Sequence, residues 1–204
     1  MYIVCLDLES VLIPEIWIII SKATGIQDLQ LTTRDVPNYE VLMKQRLQVL
    51  STYNLTFKNI QKIVETIKPF DGAVTFLNWL RKHFPTIILT DSFYEFVLPL
   101  MEKLAYPTLF SNSLEIDKRG LIKNYRLRQQ NGKVKAVKAL KTLNFQAIAI
   151  GDSYNDIEML QEAEIGILFN PSKNIQKEFP NFPVVNSYNE LKGQLIQYSK
   201  PSAC

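Results

Sequence analysis

Short apolar runs that end abruptly in polar residues are the clearest pattern along the chain. Such runs lie at residues 3–6, 86–89, 147–150 and 165–169, and apolar residues between them recur at spacings of three and four. Continuous apolar runs are typical of strands buried in a parallel sheet, whereas the longer spacing is typical of amphipathic helices. Strands that alternate with helices predict an α/β fold with a mainly parallel sheet.

A long helical segment separates the first predicted strand from the second. Helical spacing recurs in this segment at residues 10–22, 39–50 and 57–67. We therefore expect an α/β core of residues 1–11 and 71–204, with a helical insertion of residues 12–70. The core is predicted to contain a β-hairpin at residues 114–127 and helices at residues 73–82, 93–104, 133–143, 155–163 and 188–198.

The composition is that of an ordinary globular protein. The chain has 204 residues, of which 47% are hydrophobic and 21% charged, enough for one large domain or a domain with an inserted module. Its net charge of +3 comes from scattered basic residues, which argues against a nucleic-acid surface. The apolar stretch at residues 16–20 is too short to span a membrane, and the strand pattern at the N-terminus leaves no room for a signal peptide. Cys5 and Cys204 lie at opposite ends of the chain, so we expect no disulfide and a cytoplasmic location.

Carboxylates and a hydroxyl follow three of the apolar runs. Asp7 and Glu9 come after the first run, Thr90 after the second and Asp152 after the third. The carboxyl ends of parallel strands form the ligand site of open α/β sheets, so these side chains are expected to lie together. Two acids at one strand end repel each other, and a divalent cation with oxygen ligands would relieve the repulsion.

The order of these groups along the chain resembles one enzyme superfamily, the haloacid dehalogenase superfamily. Its motif set is a nucleophilic acid, a hydroxyl, a lysine and a pair of acids, which this chain has as Asp7, Thr90, Lys133, Asp152 and Asp156. The chain is most similar to the phosphoserine phosphatase branch, in particular to the bacterial type with homoserine phosphotransferase activity. The matching segments are residues 7–9, 14–17, 32–35, 41–47, 91–96 and 151–156. The resemblance implies a Rossmann-like haloacid dehalogenase fold in which the helical insertion is a cap over the active site.

The resemblance also implies roles for the residues at the strand ends. Asp7 is expected to be the nucleophile that forms an aspartyl phosphate, with a role as a pure metal ligand as the alternative. Glu9 is expected to act as general acid and general base. Asp7, Glu9 and Asp152 are expected to hold Mg²⁺, and Asp156 either joins them or holds Asp152 in place.

A second set of residues is expected to bind the phosphate. Thr90 and Asn155 would donate hydrogen bonds to phosphate oxygens, and Lys133 would neutralise their charge. Lys133 is preferred to Lys135 because it begins the predicted helix and can reach the sheet edge.

The cap is expected to supply specificity for the substrate. Glu15 and Arg46 match positions that hold the ammonium and carboxylate groups of phosphoserine in relatives. An arginine offers two parallel donors to a carboxylate, which suits Arg46 to this role. Met43 lies one helical turn before Arg46 and would pack against the ligand.

The chain departs from the common pattern of the superfamily at three places. Glu9 stands where most members have aspartate, although the bacterial type also has glutamate. Ser10 stands where many relatives have glycine, which suggests that a less permissive backbone conformation suffices there. Asp91 and Ser92 replace two glycines that follow the hydroxyl in the typical phosphoserine phosphatase, so the backbone near the phosphate is expected to differ.

Four functions are consistent with these residues. The first is a magnesium-dependent phosphoserine phosphatase, and the second is transfer of the same phosphoryl group to an alcohol such as homoserine. The third is a phosphatase of another small phosphomonoester, and the fourth is a binding protein that kept the fold without catalysis. The expected partner is a small phosphorylated amino acid, and we expect no binding to nucleic acid or membranes. The protein could be a monomer or a homodimer.

Overall fold

A computed structural model of the chain describes residues 1–32, 35–36 and 38–199. Its seven strands are β1 Tyr2–Leu6, β2 Thr86–Phe93, β3 Thr108–Ile116, β4 Ile122–Arg126, β5 Gln146–Gly151, β6 Ile165–Phe169 and β7 Val184–Val185. The α-helices are α1 Ile16–Thr24, α2 Tyr39–Thr52, α3 Phe57–Val64, α4 Ala73–His83, α5 Tyr94–Lys103, α6 Gly132–Thr142, α7 Ile157–Glu162, α8 Lys173–Glu178 and α9 Tyr188–Ile196. Short 3₁₀ turns cover Gln27–Gln30 and Tyr154–Asp156. None of the described helices has the length and apolar character needed to cross a membrane.

The seven strands form one sheet in which β1 is central. The strand order is β4-β3-β2-β1-β5-β6-β7, and every pairing is parallel except that of β3 with β4. Cys5 of β1 lies opposite Ile87 of β2 on one side and Ala149 of β5 on the other. The carboxyl ends of these three strands therefore meet at one edge of the sheet. The predicted α/β fold with a mainly parallel sheet is confirmed.

The helices inserted between β1 and α4 pack directly on the sheet. Ile16, Trp17 and Ile20 of α1 belong to the same buried apolar cluster as Val4 and Leu6 of β1. Burial of these side chains against the sheet is the main force that fixes the position of the insertion. Because insertion and sheet share one cluster, the division into a core and a cap of residues 12–70 stays a prediction.

Capping residues set the ends of the inserted helices. Gly25 ends α1 with a φ of 73°, a conformation that glycine favours, and donates its backbone N–H to the carbonyl of Ser21. Asn38 caps α2 with its side chain, and Thr56 and Asn59 form a reciprocal capping box at the start of α3. Each cap satisfies backbone donors or acceptors that have no partner within the helix.

Backbone geometry sets the start of two helices. The helix expected within residues 10–22 begins at Ile16, two residues after Pro14, which disfavours a helical conformation in Ile13, the residue before it. Gly72 takes the N-cap position of α4 with a φ of 84°, which favours glycine.

The pattern also missed parts of the sheet. β2 continues through Phe93, and β3 begins at Thr108 rather than near residue 114, so the first half of β3 pairs with β2 and its second half with β4. The predicted hairpin is present, and its turn is held by Asp117, whose carboxylate accepts from two backbone N–H groups. β7 and α8 are too short for the hydrophobic periodicity of a strand or a helix to be recognised in the sequence.

Gly151 at the end of β5 provides a test of this packing. A Cβ atom at residue 151 would overlap the side chain of Asp156, with the carboxylate oxygen Oδ2 only 2.6 Å away. We expect Gly151→Ala to lower the free energy of unfolding by about 1–3 kcal/mol, because the fully buried Asp156 has no room to move. Gly193→Ala in α9 is the matched control, since nothing lies within 4 Å of its added methyl group. Denaturant unfolding measures the free energy of unfolding of both variants. A Gly151→Ala variant as stable as Gly193→Ala would contradict this packing.

Candidate active site

The predicted site residues come together where β1, β2 and β5 end. Asp7 directly follows β1, Thr90 lies in β2 where the pairing with β3 shifts, and Asp152 follows β5. The backbone N–H of Asp7 donates to the carbonyl of Ile150 at 2.9 Å, which holds the first acid against the neighbouring strand. The strand order therefore places the two acids and the hydroxyl side by side.

Lys133 enters this group from the first turn of α6. Its Nζ atom lies 2.9 Å from Asp7 Oδ1 and 2.7 Å from Asp156 Oδ1, and the lysine is 5% exposed. Burial alone would lower the pKa of Lys133, but the charges of Asp156 and Asp7 outweigh it and raise the pKa well above its usual range. Lys135, the alternative, is exposed on the other side of the helix.

Asp7, Asp152 and Asp156 are the described residues that could hold a metal ion together. One carboxylate oxygen from each lies within 4.8 Å of the others, and all three residues are buried. Burial raises the pKa of Asp7 well above its usual range, Lys133 lowers it, and Asp156 and Asp152 raise it further. Lys133 contacts two of these three carboxylates, Asp7 and Asp156, and one ammonium cannot offset the charge of three carboxylates. A hard divalent cation with oxygen ligands fits such a cluster.

Asp156 is held by the turn that follows β5. Its Oδ2 atom accepts from the backbone N–H groups of Asp152 at 3.0 Å and of Ser153 at 3.2 Å. Its other oxygen accepts from Lys133, and the residue is fully buried. These contacts favour the role in which Asp156 holds Asp152 and Lys133 in place.

Glu9 lies apart from the carboxylates that could hold a metal. The expectation that its side chain joins Asp7 and Asp152 as a ligand is not supported, because its charged neighbours are Glu15 and Arg46 on the helical insertion. Burial raises the pKa of Glu9 well above its usual range, and the nearby Glu15 carboxylate raises it further. A raised pKa favours the protonated form of the carboxyl group, which is the form that general acid catalysis requires.

Ser10 has the backbone conformation that glycine would favour. Its φ is 60°, in the left-handed region, so the expectation that serine marks a less demanding backbone is wrong. The Ser10 hydroxyl donates to Glu15 Oε1 at 3.0 Å. This contact orients Glu15 within the site, and the sequence pattern offered no sign of it.

Arg46 is buried beneath the aromatic ring of Trp17. Its guanidinium carbon lies 4.5 Å from the ring centroid, and one Nη atom donates to the carbonyl of Leu31 at 2.7 Å. Burial lowers the pKa of Arg46 to about 10, partly offset by Glu9 and other neighbouring groups, so the residue stays charged at neutral pH. Its Nε atom is buried and has no hydrogen-bond partner among the described residues.

Met43 does not line the site. It is 1% exposed in the apolar core, and its sulfur lies 3.7 Å from an Arg46 nitrogen. Leu42, the preceding residue on α2, lines the cavity instead. The predicted contact of Met43 with the ligand is therefore not supported, because the helix turns this side chain toward the core.

Thr90 and Asn155 face the acids from two further elements. The Thr90 oxygen accepts from the backbone N–H of Ser92 at 3.1 Å, so its own proton remains available for a ligand. Asn155 accepts a short hydrogen bond from the Ser153 hydroxyl and donates to Asp91 Oδ2 at 3.1 Å. Both residues line the same cavity as Asp7.

An inner cavity of about 70 Å³ connects these groups. On the sheet side it is lined by Asp7, Thr90, Asp91, Ser92, Lys133, Ser153 and Asn155. On the side of the insertion it is lined by Glu9, Glu15, Trp17, Thr32, Tyr39, Leu42 and Arg46. An outer groove of about 790 Å³ shares Tyr39, Asp91, Lys133 and Asn155 with it.

Several lining residues had no assigned role in the sequence analysis. Trp17, Asp91 and Ser153 lie in segments that carry the family resemblance, which was the available signal for them. Tyr39 gave no such signal, because its place depends on how α2 docks. Of the matching segment at residues 32–35, Thr33 and Arg34 lie outside the described residues.

Comparison with known proteins identifies similar sequences across the chain. The haloacid dehalogenase-like hydrolase family matches residues 18–164. The phosphoserine phosphatase ThrH of Pseudomonas aeruginosa is 50% identical over 202 residues, which are 99% of this chain and 98% of the relative. A phosphoserine phosphatase of Pseudomonas syringae pv. tomato is 50% identical over 197 residues, which are 97% of this chain and 83% of the relative. The predicted resemblance is confirmed.

Solved structures show the same fold. One described as a phospho-aspartyl intermediate analogue of phosphoserine phosphatase has a TM-score of 0.75 at 21% identity, and it covers 98% of this chain and 99% of its own. A phosphoserine phosphatase in its apo form has a TM-score of 0.77 at 22% identity over the same shares. The predicted haloacid dehalogenase fold is confirmed.

The buried charge of Lys133 gives a prediction for stability. We expect Lys133→Met to cost about 3–5 kcal/mol near neutral pH, because Asp7 and Asp156 then stay buried without their cation. The Asp7 pKa would rise further, so the folded state would hold more protons than the unfolded chain above the ordinary aspartate pKa of about 3.9. The free energy of unfolding of the variant should therefore fall more steeply than that of the parent protein as pH rises from about 4 to 8.

Denaturant unfolding in EDTA at several pH values measures this effect. Lys135→Met is the matched control, since Lys135 lies on the same helix and is exposed. The control should follow the parent protein throughout. Identical pH profiles for Lys133→Met and Lys135→Met would contradict the role given to the buried lysine.

Proposed function

Because the chain belongs to the haloacid dehalogenase-like hydrolases, we propose that it is a magnesium-dependent phosphoserine phosphatase that works through an aspartyl phosphate at Asp7. One observation carries the proposal. Asp7 is buried beside Lys133 and lines a cavity that also contains Glu9 and Arg46. The names of the two Pseudomonas relatives support phosphoserine as the substrate.

The first step transfers the phosphoryl group to the enzyme. A carboxylate oxygen of Asp7 attacks phosphorus, and the bond from phosphorus to the serine oxygen breaks. Glu9 gives its proton to the departing serine oxygen, so the leaving group is a neutral alcohol. The raised pKa of Glu9 supports this role, because it favours the protonated form that a general acid needs.

The second step releases phosphate and restores the enzyme. Glu9, now ionised, takes a proton from water as the water oxygen attacks phosphorus. The acyl-phosphate bond to Asp7 breaks, which yields inorganic phosphate and the free carboxylate. Glu9 then carries its proton again for the next cycle.

The phosphate must be neutralised and oriented while its bonds change. Lys133 supplies a positive charge at the position of the acyl phosphate, since it lies 2.9 Å from Asp7. Thr90 has a hydroxyl proton to donate, and the Asn155 amide faces the same cavity. These fixed donors stabilise charge on the phosphate oxygens without rearrangement.

Asp7 and Asp152 are the residues proposed to hold Mg²⁺, with Asp156 supporting both. The fit rests on the three buried carboxylates and their excess negative charge. When bound, Mg²⁺ would offset charge on the phosphoryl oxygens and help to orient the group for attack. Glu9 is left out of the ligand set because its side chain lies beside Glu15 and Arg46.

The helical insertion is proposed to recognise the amino-acid end of the substrate. Arg46 has a buried Nε atom without a described partner, which suits it to bind the substrate carboxylate. Glu15, oriented by Ser10, would bind the ammonium group. The Trp17 ring holds the Arg46 guanidinium in place from the other side.

Homoserine is the second phosphoryl acceptor that we propose. It has the same ammonium and carboxylate groups as serine and a hydroxyl that is one methylene further away. Glu15 and Arg46 can therefore bind it after serine has left, and Glu9 can take the proton of its hydroxyl as it would from water. The resemblance to the homoserine phosphotransferase type supports this acceptor.

We also place the reaction in the cytoplasm. Cys5 is a free buried thiol, and burial raises its pKa to about 12, so it is neither paired nor reactive. A reduced structural cysteine is compatible with a reducing compartment.

The proposed reaction predicts how products divide between two acceptors. With Mg²⁺ and O-phospho-L-serine, phosphate release should fall as L-homoserine is added, and phosphohomoserine should appear in matching amount, because both acceptors use one intermediate. EDTA should abolish both products, and Asp7→Asn should lower turnover roughly a thousandfold or more. Phosphorus NMR of the reaction measures both products.

Different outcomes would revise different parts of the proposal. Phosphate release that homoserine never diverts would leave a hydrolase without transfer. Turnover of other phosphomonoesters but not of phosphoserine would overturn the roles of Glu15 and Arg46. Undiminished turnover in Asp7→Asn would overturn the catalytic mechanism. The absence of turnover with every phosphomonoester would also overturn it and would indicate a binding protein.

Arg46 gives a prediction for specificity. We expect Arg46→Met to lower kcat/KM for phosphoserine about a hundredfold, because the substrate carboxylate loses a charged group with two donors. The kcat/KM for p-nitrophenyl phosphate, which has no such carboxylate, should change less than about threefold. Lys44→Met on the exposed side of the same helix is the matched control and should change neither value. Steady-state kinetics that show equal losses for both substrates would contradict the assignment.

A further inference from the structure

Asp91 is an acidic residue that directly follows Thr90 in the last part of β2, where the common phosphoserine phosphatase pattern has glycine. Its side chain is 41% exposed and lines both the inner cavity and the outer groove. A carboxylate so close to a phosphate site repels the substrate dianion unless donors hold it. The contacts of Asp91 show which donors do so.

The carboxylate of Asp91 binds a candidate phosphate donor. Its Oδ2 atom accepts from the Asn155 amide at 3.1 Å and lies 3.7 Å from Lys133 Nζ. Lys133 is closer to Asp7 and Asp156, so the direct hydrogen bond of Asp91 is to Asn155. Asp91 is also absent from the group of carboxylates that could hold a metal.

The backbone carbonyl of Asp91 joins the end of β2 to two other elements. It accepts from the Tyr39 hydroxyl at the start of α2 at 3.2 Å and from the Asn112 amide of β3 at 2.9 Å. The Asn112 oxygen in turn accepts from the backbone N–H of Arg128 at 3.0 Å, in the segment that leads to α6. The position of Asp91 is therefore fixed from α2, β3 and the approach to Lys133.

An amide side chain can rotate, so its use as a phosphate donor depends on what holds it. Asn155 is exposed in a short 3₁₀ turn, and its oxygen is held by the Ser153 hydroxyl. Its amide nitrogen is held by Asp91, which leaves the second N–H of that nitrogen for another acceptor in the cavity. The carboxylate thus selects one orientation of the amide before substrate binds.

We propose that Asp91 is a positioning residue, whose carboxylate orients the Asn155 amide toward the phosphate and whose carbonyl ties that orientation to the helical insertion through Tyr39. This inference rests on the proposed phosphoryl-transfer function of the site. It gives a physical reason for an acid at a position where glycine would place no charge near the phosphate. The residue acts on the phosphate end of the substrate and not on its amino-acid end.

A double-mutant cycle tests whether Asp91 acts through Asn155. Asp91→Ala should lower kcat/KM about tenfold for both phosphoserine and p-nitrophenyl phosphate, because both share the phosphate. In an Asn155→Ala background the same change should matter less than about twofold. Asp91→Asn should stay within about threefold of the parent enzyme, since its amide oxygen still accepts a hydrogen bond. Should Asp91→Ala not fold, Asp91→Gly removes the same carboxylate.

Three results would overturn the proposal. Losses that are additive in the double variant would show that Asp91 does not act through Asn155. A loss confined to phosphoserine would place Asp91 against the amino-acid end. A lower melting temperature that explains the lost activity, together with no coupling between Asp91 and Asn155 in the double variant, would show that Asp91 is only structural.

The hydrogen bond between Tyr39 of the insertion and the Asp91 carbonyl can be tested separately. Tyr39→Phe removes the hydroxyl that binds the Asp91 carbonyl and should lower kcat/KM for both substrates about threefold to tenfold. Tyr94→Phe is the matched control, since Tyr94 is half exposed and lies three residues after Asp91. Equal kinetics for the two variants would remove Tyr39 from the proposal.

Phosphate binding separates this inference from the proposed substrate. Calorimetry with inorganic phosphate and Mg²⁺ needs no turnover, and Asp91→Ala should weaken phosphate affinity about tenfold in the parent but not in Asn155→Ala. If phosphoserine proves not to be the substrate, this coupling still holds for the phosphate site. Unchanged phosphate affinity in Asp91→Ala would overturn the role of Asp91 whatever the substrate.

Discussion

Lys133 brings one positive charge into a site built mainly from buried carboxylates. Its ammonium group lies within hydrogen-bond distance of both Asp7 and Asp156, and all three residues are almost fully buried. Burying such charges is costly unless they are paired closely and completely. The strand order meets this requirement, because β1 and β5 are neighbours and bring the two acids to one edge of the sheet, where the first turn of α6 adds the lysine.

In the proposed reaction the site divides into a phosphate end and an amino-acid end, with Glu9 between them. The sheet supplies Asp7, Thr90 and Asp152, the residues proposed to act on the phosphate. The helical insertion supplies Glu15 and Arg46, which surround Glu9 with one like charge and one opposite charge. The pKa of Glu9 therefore depends on residues of the insertion, so in the proposed reaction substrate recognition and acid catalysis would share the same side chains.

The parts of this arrangement that follow from strand geometry could be predicted from the sequence. Apolar runs that end in acids place Asp7 and Asp152 at the same edge, because neighbouring parallel strands end together. Lys133 could be distinguished from Lys135 by its place at the helix start. These inferences depend on where strands end and helices begin, and not on the direction of individual side chains.

Other features depend on the direction of individual side chains, which periodicity does not determine. Met43 faces the core and Leu42 the cavity, although both lie on the same helix. Glu9 is two residues after Asp7, yet its carboxyl group lies beside the insertion rather than among the acids that could hold a metal. Ser10 keeps a left-handed backbone that its residue type does not suggest.

The identity of the attacking group is the centre of this account. Enzyme mixed with phosphoserine and Mg²⁺, quenched in acid within the first turnovers and digested, can be analysed by peptide mass spectrometry. We expect one phosphoryl group on the N-terminal peptide at Asp7, absent when Asp7→Asn is treated in the same way. Phosphate on another residue, or steady turnover in which a sensitive measurement detects no phosphorylated peptide, would contradict it.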